Sequence, residues 1–253
     1  NIMKKELTNF YNNIDNISTN NIDEYLPINF NFIDGAYVDI GDTKSDTEYT
    51  VEFIDKKTNN SIFSTDLKSN MWARSSIRYY IDYEIKVTEK LTGRVVLNNS
   101  ISLKNKKVYI SFESKSLGDT LSWISYVEEF RKKHDCILVV STFWNYLFEG
   151  KYKNLKFVEP GTSVTDMYAR YELGWFWKDD IYVDTYRNPQ DFRLIPLCQT
   201  ASDILGLEYK EIKPLLNIPK ESSRFKKKYV CIATQSTAQA KYWNKKGGWD
   251  KKQ

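Results

Sequence analysis

Apolar and polar positions change period twice along the chain. Between about residues 30 and 105 they alternate: Tyr49, Val51 and Phe53 are separated by polar residues, and Tyr79, Ile81, Tyr83, Ile85 and Val87 alternate in the same way. A period of two puts one set of side chains on one face of a strand. The turn-like stretches DKKTNNS and KLTGR lead into Ile62 and Phe63, and into Val95 to Leu97 and Ile101 to Leu103. Several antiparallel strands in a small sandwich or barrel are predicted for residues 30–105. Residues 1–29 read differently. They are rich in Asn, Asp and Ile, with Leu7, Phe10, Ile14 and Ile17 at helical spacing, which predicts a short amphipathic helix or a loosely ordered arm.

From Lys106 the pattern mixes both periods. Val108 to Phe112 predicts a strand, and Thr120 to Lys133 a helix with Leu121, Ile124, Val127 and Phe130 on one stripe. Cys136 to Val140 predicts a second strand, FWNYLFEGKY a short helix and LKFVEPG a third strand closed by Pro160-Gly161. Strand, helix, strand, helix, strand is the order of a parallel α/β lobe of Rossmann-like type, assigned here to residues 106–226. The aromatic-rich stretch Tyr168 to Tyr186 is expected in loops covering that lobe, and DFRLIPLCQTASDILGL as a helix stopped by Gly206. Tyr229 to Ala233 predicts the first strand of another α/β lobe over residues 227–253. One parallel βαβ unit takes about thirty residues, so that lobe is only begun and the chain reads as a fragment. The fold class is therefore α+β joined to α/β, an antiparallel β module followed by a Rossmann-like lobe.

Composition narrows the function classes. The 253 residues, 41% hydrophobic, can supply sizeable cores. Their 37 basic and 33 acidic residues leave a formal net charge of +4, spread along the chain, which gives no reason to expect nucleic acid as a partner. Cys136, Cys198 and Cys231 are odd in number and far apart, so neither a disulfide framework nor a CxxC metal site is written here, and a reducing, cytoplasmic setting is expected. No apolar run approaches the roughly twenty residues of a membrane span, and the lysine-bearing start lacks the apolar core of a secretory signal.

Four stretches carry candidate chemistry. Ser116-Leu117-Gly118-Asp119-Thr120 follows the first parallel strand, where open α/β sheets place ligands. Gly118 suits a tight turn or close substrate approach. Asp119 reads either as an ionised base or as a residue capping its helix. In ATQSTAQAKYW, Gln235, Ser236, Thr237 and Lys241 are of the types that hold phosphate oxygens, although the GxxxxGK[ST] of a P-loop is missing. In SNMWARSSIRYY, Trp72, Arg74 and Arg78 belong either to a solvated connection with one anchoring tryptophan or to a partner contact. His134, the one histidine, reads as a junction residue rather than a catalyst.

Taken together, SLGDT, the β-rich module before it and QSTAQAKYWN resemble the bacterial autotransporter O-heptosyltransferases, which are similar to the ADP-heptose:lipopolysaccharide heptosyltransferases of the two-lobed GT-B fold. The resemblance covers roughly residues 30–253. It is fairly specific in QSTAQAKYW and generic in LGD. It implies a glycosyltransferase that moves heptose from ADP-heptose onto serine hydroxyls of an autotransporter adhesin, with no catalytic metal and with inversion at the sugar carbon. It further implies that Asp119 is the base, that Ser236, Thr237 and Lys241, with Gln235, contact the donor phosphates, and that the protein is a cytoplasmic homo-oligomer. Members carry a cysteine-bound iron centre in the second lobe. These residues contain no such cluster, so a structural iron is implied only for sequence outside them. A non-catalytic module that binds protein or glycan through its aromatics, and a lipopolysaccharide heptosyltransferase, are the alternative readings.

Overall fold

The computed structural model describes residues 26–217 and 227–232. The chain divides into two compact units, Asn1–Asn217 and Ile218–Gln253. The described residues of the first form thirteen strands, β1 (Ile28–Ile33), β2 (Tyr37–Ile40), β3 (Tyr49–Asp55), β4 (Asn60–Leu67), β5 (Met71–Arg74), β6 (Tyr83–Glu89), β7 (Val95–Ser100), β8 (Lys107–Phe112), β9 (Ile137–Ser141), β10 (Leu155–Phe157), β11 (Ala169–Leu173), β12 (Trp177–Lys178) and β13 (Tyr182–Val183). The α-helices among its described residues are α1 (Leu117–His134) and α2 (Gln199–Ile204).

A seven-stranded sheet in the order β10-β9-β8-β11-β1-β2-β5 forms the centre. Its pairs from β10 to β1 are parallel, and β2 and β5 add on antiparallel. A separate antiparallel sheet, β4-β3-β6-β7, is built from the alternating runs, with Val51, Phe53, Ile85 and Val87 fully buried. The alternating region is thus shared between two sheets rather than forming one module before the α/β lobe. β1 pairs in parallel with β11 (Phe32 opposite Ala169), and β2 and β5 follow it into the large sheet. Phe32 stacks on Tyr83 of β6 with ring centroids 6.1 Å apart, and Tyr83 in turn shares a 2.8 Å hydrogen bond with Ser75, so one core joins both sheets.

One face of the large sheet is apolar. Val108, Ile110 and Phe112 of β8 and Ala169, Tyr171 and Leu173 of β11 are buried, and Tyr171 meets Phe130 of α1 edge-on at 5.6 Å. α1 runs longer than its predicted span and buries Trp123, Ile124, Val127 and Phe130. Alternation puts Tyr109, Ser111, Arg170 and Glu172 on the other face.

Three expectations give way. Within the stretch assigned to loops, Ala169–Leu173 is a strand in the middle of the sheet, between β8 and β1. Its charged Arg170 and Glu172 disguise it, because a central parallel strand usually reads as an unbroken apolar run. FWNYLFEGKY forms only the 3-10 turn Asn145–Leu147. Buried Asn145 spends its side chain on the backbone around it, in competition with a longer helix. The strand expected at Tyr229 is absent over residues 229–232, where Val230 and Ile232 are exposed; a strand persists only with a ladder partner and cover for its apolar side chains.

Candidate active site

From β8 the chain runs through α1 to β9 and outward to β10. It then crosses back to lay β11 on the opposite side of β8. The strand order therefore reverses between β8 and β11, and open parallel sheets form their ligand crevice at the carboxyl ends beside such a reversal. A cavity of about 470 Å³ lies here, lined by Tyr109, Ser111 and Ser141 of the sheet, by Glu113 just beyond β8, and by Pro160 to Thr162 and Met167 of the crossing segment.

The SLGDT turn leaves β8 at this point. Ser116 is the residue before α1 and makes no side-chain capping bond, and Asp119 stands in the first helical turn. Asp119 is 8% exposed, and the Ser114 hydroxyl donates to its Oδ2 at 2.5 Å. The same hydroxyl accepts from the Ser116 backbone N–H at 3.1 Å, so one serine closes the turn and holds the carboxylate. Hydrogen bonds to a carboxylate are among the stronger ones in proteins. Asp119 is not among the residues lining the crevice; Glu113 is. Gly118 has helical geometry, and a Cβ there would meet only the Ser116 Oγ, at 3.7 Å. The turn itself does not require glycine.

Two further features frame the turn. Asn145, buried behind the end of β9, accepts from the Thr142 N–H and hydroxyl, both at 3.0 Å, and donates to the Val158 carbonyl at 2.8 Å. It ties the exits of β9 and β10 together, while the Trp144 indole next to it donates to the Lys115 carbonyl in the SLGDT approach. On the β11 side stands an aromatic wall. Trp175 meets Trp123 of α1 at 6.3 Å and stacks on Phe192 at 5.8 Å, and Trp177 meets Phe192 edge-on at 5.1 Å. Asn188 anchors the wall, accepting from the Phe176 N–H and donating to the Gly174 carbonyl. Reading the sequence missed Ser114, Glu113 and Asn145, while Trp175 and Trp177 of the wall belong to the aromatic-rich stretch expected over this lobe. The only signal for the first three was position just beyond apolar runs.

Gln235, Ser236, Thr237 and Lys241 lie outside the described residues. His134, the last residue of α1, sits between the rings of Tyr80 and Phe130, and burial, with the charge of Lys133 second, pushes its pKa down to about 4. It is away from the SLGDT turn, at the opposite end of the helix. Among the described residues no group of three or more His, Cys, Asp or Glu could hold a metal ion; the iron implied by resemblance belongs to sequence outside them. Among them also, no helix is long and apolar enough to cross a membrane.

An open parallel sheet with a carboxylate turn and a crevice at its reversal point defines a class, the α/β proteins that take a ligand at the carboxyl ends of their strands. Comparison with known proteins narrows that class. No family model matches the chain. It is 38% identical over 209 residues to the autotransporter heptosyltransferase Aah of Escherichia coli (80% of this chain, 51% of Aah). It is 32% identical over 250 residues to BAHTCr of Citrobacter rodentium, named as the same kind of enzyme (98% and 58%). A 28% identical relative in Burkholderia thailandensis, BimC, is named an inactive autotransporter heptosyltransferase (88% and 51%). In three dimensions the chain matches the crystal structure of the iron-containing dodecameric glycosyltransferase TibC from enterotoxigenic E. coli, with a TM-score of 0.76 at 31% identity (90% of this chain, 58% of TibC). TibC has also been crystallised with ADP-D-beta-D-heptose. Over the residues it shares with them, the chain is a homologue of the autotransporter heptosyltransferases, and it spans between half and three fifths of the length of the curated relatives it matches.

Proposed function

We propose that the chain is the acceptor-side part of a protein O-glycosyltransferase that moves heptose from ADP-heptose to serine hydroxyls of an autotransporter adhesin. The observation that carries this reading is the carboxylate turn at the reversal point of the sheet, in a chain 31% identical to a protein crystallised with ADP-heptose. A serine hydroxyl is a poor nucleophile at neutral pH and needs a base within hydrogen-bond reach. Ser114 occupies Oδ2 of Asp119, which leaves Oδ1 to take the acceptor proton. The serine oxygen then bonds to the anomeric carbon from the face opposite the bond to the ADP phosphate oxygen. That bond breaks, ADP departs with the electron pair, and the sugar carbon inverts. Gln235, Ser236, Thr237 and Lys241 are the donor-side candidates, with Lys241 offsetting the charge that develops on ADP. The dodecameric state of TibC supports a homo-oligomer, and three cysteines without a disulfide are in keeping with a cytoplasmic site of action.

The test is intact-protein mass of an autotransporter passenger co-expressed with wild-type enzyme or with Asp119→Asn. The asparagine can still accept from Ser114, so folding is expected to hold while the mass steps of single heptose units disappear. Near-normal transfer by a folded Asp119→Asn would remove the base. A second reading, a non-catalytic binding module, is favoured by the relative named inactive. It predicts no mass steps even for wild type, with the passenger still captured.

A further inference from the structure

The stretch SNMWARSSIRYY is not used by the transfer chemistry, yet the fold gathers it into a second cavity. Arg74 at the end of β5 and Arg78 four residues on meet Arg170 of β11 and Arg187 beyond β13, around a cavity of about 350 Å³ also lined by Asp34 and Glu172. The turn after β1 makes this convergence possible. Gly35 has φ +100°, and a Cβ there would lie 2.6 Å from the Ile77 carbonyl oxygen and 2.8 Å from that of Ser75, so only glycine lets the 75–77 backbone close on β1. Arg170 and Glu172 line this cavity and the crevice alike.

Four guanidinium groups here face two carboxylates. Arg187 pairs with Glu172 and lies over the Phe176 ring at 3.5 Å, and Arg170 reaches Asp34 at 3.6 Å. Arg74 rests over the Tyr37 ring at 4.9 Å. The carboxylates leave donors over. Nε of Arg74, Nη1 of Arg78 and Nε of Arg170 are shielded from water and have no hydrogen-bond acceptor. Burying a charged donor without an acceptor is costly, and three such donors lie on neighbouring side chains of a cavity whose four arginines outnumber its two carboxylates. A carboxylate has two oxygens and suits one guanidinium fork. Four guanidinium groups lining one cavity call for acceptors in several directions, which a tetrahedral oxyanion supplies, and guanidinium matches phosphate geometry well.

We infer that Arg74, Arg78, Arg170 and Arg187 form a binding site for a phosphate-type oxyanion, free or as part of a nucleotide, on the polar face of the large sheet. The site stands independently of the transfer reaction. It is tested by thermal unfolding of the full chain in inorganic phosphate, pyrophosphate or ADP, each against sodium chloride of equal ionic strength. Pyrophosphate several-fold above its dissociation constant is expected to raise the midpoint by about 2–4 °C in a chain of this size. Arg170→Gln is expected to lose that rise. Arg78→Lys, which keeps charge and stem but not the planar fork, is expected to lose most of it and serves should the first variant fail to fold. An ADP response that falls with the pyrophosphate response in these variants identifies a nucleotide phosphate as the ligand. An ADP response that survives them identifies the free oxyanion. No rise beyond chloride, or a rise that both folded variants retain, would overturn the inference.

Discussion

Asn145→Ala offers a sharp check on how the crevice is held. The wild-type side chain is 4% exposed and makes three hydrogen bonds, two accepted from Thr142 and one donated to Val158. Truncation strands the Thr142 N–H and deprives the Val158 carbonyl of this donor; the Thr142 hydroxyl can rotate toward another partner. Each buried backbone group left unpaired costs about 1–3 kcal/mol, so the expected loss is about 2–5 kcal/mol, toward the lower end where water enters the space. For a chain of this size that corresponds to a fall of roughly 5–15 °C in melting temperature. Urea unfolding with an unchanged slope would assign the loss to the native state, and Glu149→Ala, an exposed change in the same segment, should stay within about 0.5 kcal/mol. A loss below about 1 kcal/mol for Asn145→Ala would refute the claim that this side chain clamps the exits of β9 and β10.

Other outcomes follow from particular contacts. The folded protein resists protonating His134 until about pH 4, whereas the unfolded chain takes up that proton near pH 6.5. Stability should therefore decline as pH falls from about 6.5 to 4, by at most about 3 kcal/mol and by less where water reaches the ring. His134→Phe should flatten that part of the profile, measured by urea unfolding at pH 7.5 and 5. Gly206→Ala should cost at least about 2 kcal/mol, because its φ is +61° and the new Cβ would lie 2.4 Å from Cδ1 of Tyr80; a neutral effect in calorimetry would show that Tyr80 moves aside freely. Tyr83→Phe should cost about 1 kcal/mol for the lost bond to buried Ser75, read from its shift in urea midpoint.

Much of the fold is legible in the chain because local pattern and tertiary role agree. The alternation around Val51 and Ile85 and the helical stripe through Ile124 and Phe130 mark the faces that are buried. Legibility fails where a residue serves the cavities instead of the core. In ARYEL, Arg170 and Glu172 line both of them, and their charge hides a central strand. The sharing of alternating strands between two sheets was also unreadable, since pairing partners are set by contacts distant in sequence. At the site, Asp119 was visible from its place after an apolar strand, but Ser114 and Asn145 became meaningful only through the atoms they reach.

The position of β11 between β8 and β1 bears on how the protein is made. Ile33 and Arg170 are neighbours in the sheet although well over a hundred residues separate them in sequence. On the ribosome β1 emerges about ten seconds or more before its parallel partner, at ordinary elongation rates. Until Ala169–Leu173 arrives, β1 and β8 each present an unpaired edge, and such edges are where nascent chains stick to one another. Slow synthesis, or a stall just upstream of β11, should therefore raise aggregation more than a stall downstream of it, making the order of translation part of what selects the native sheet.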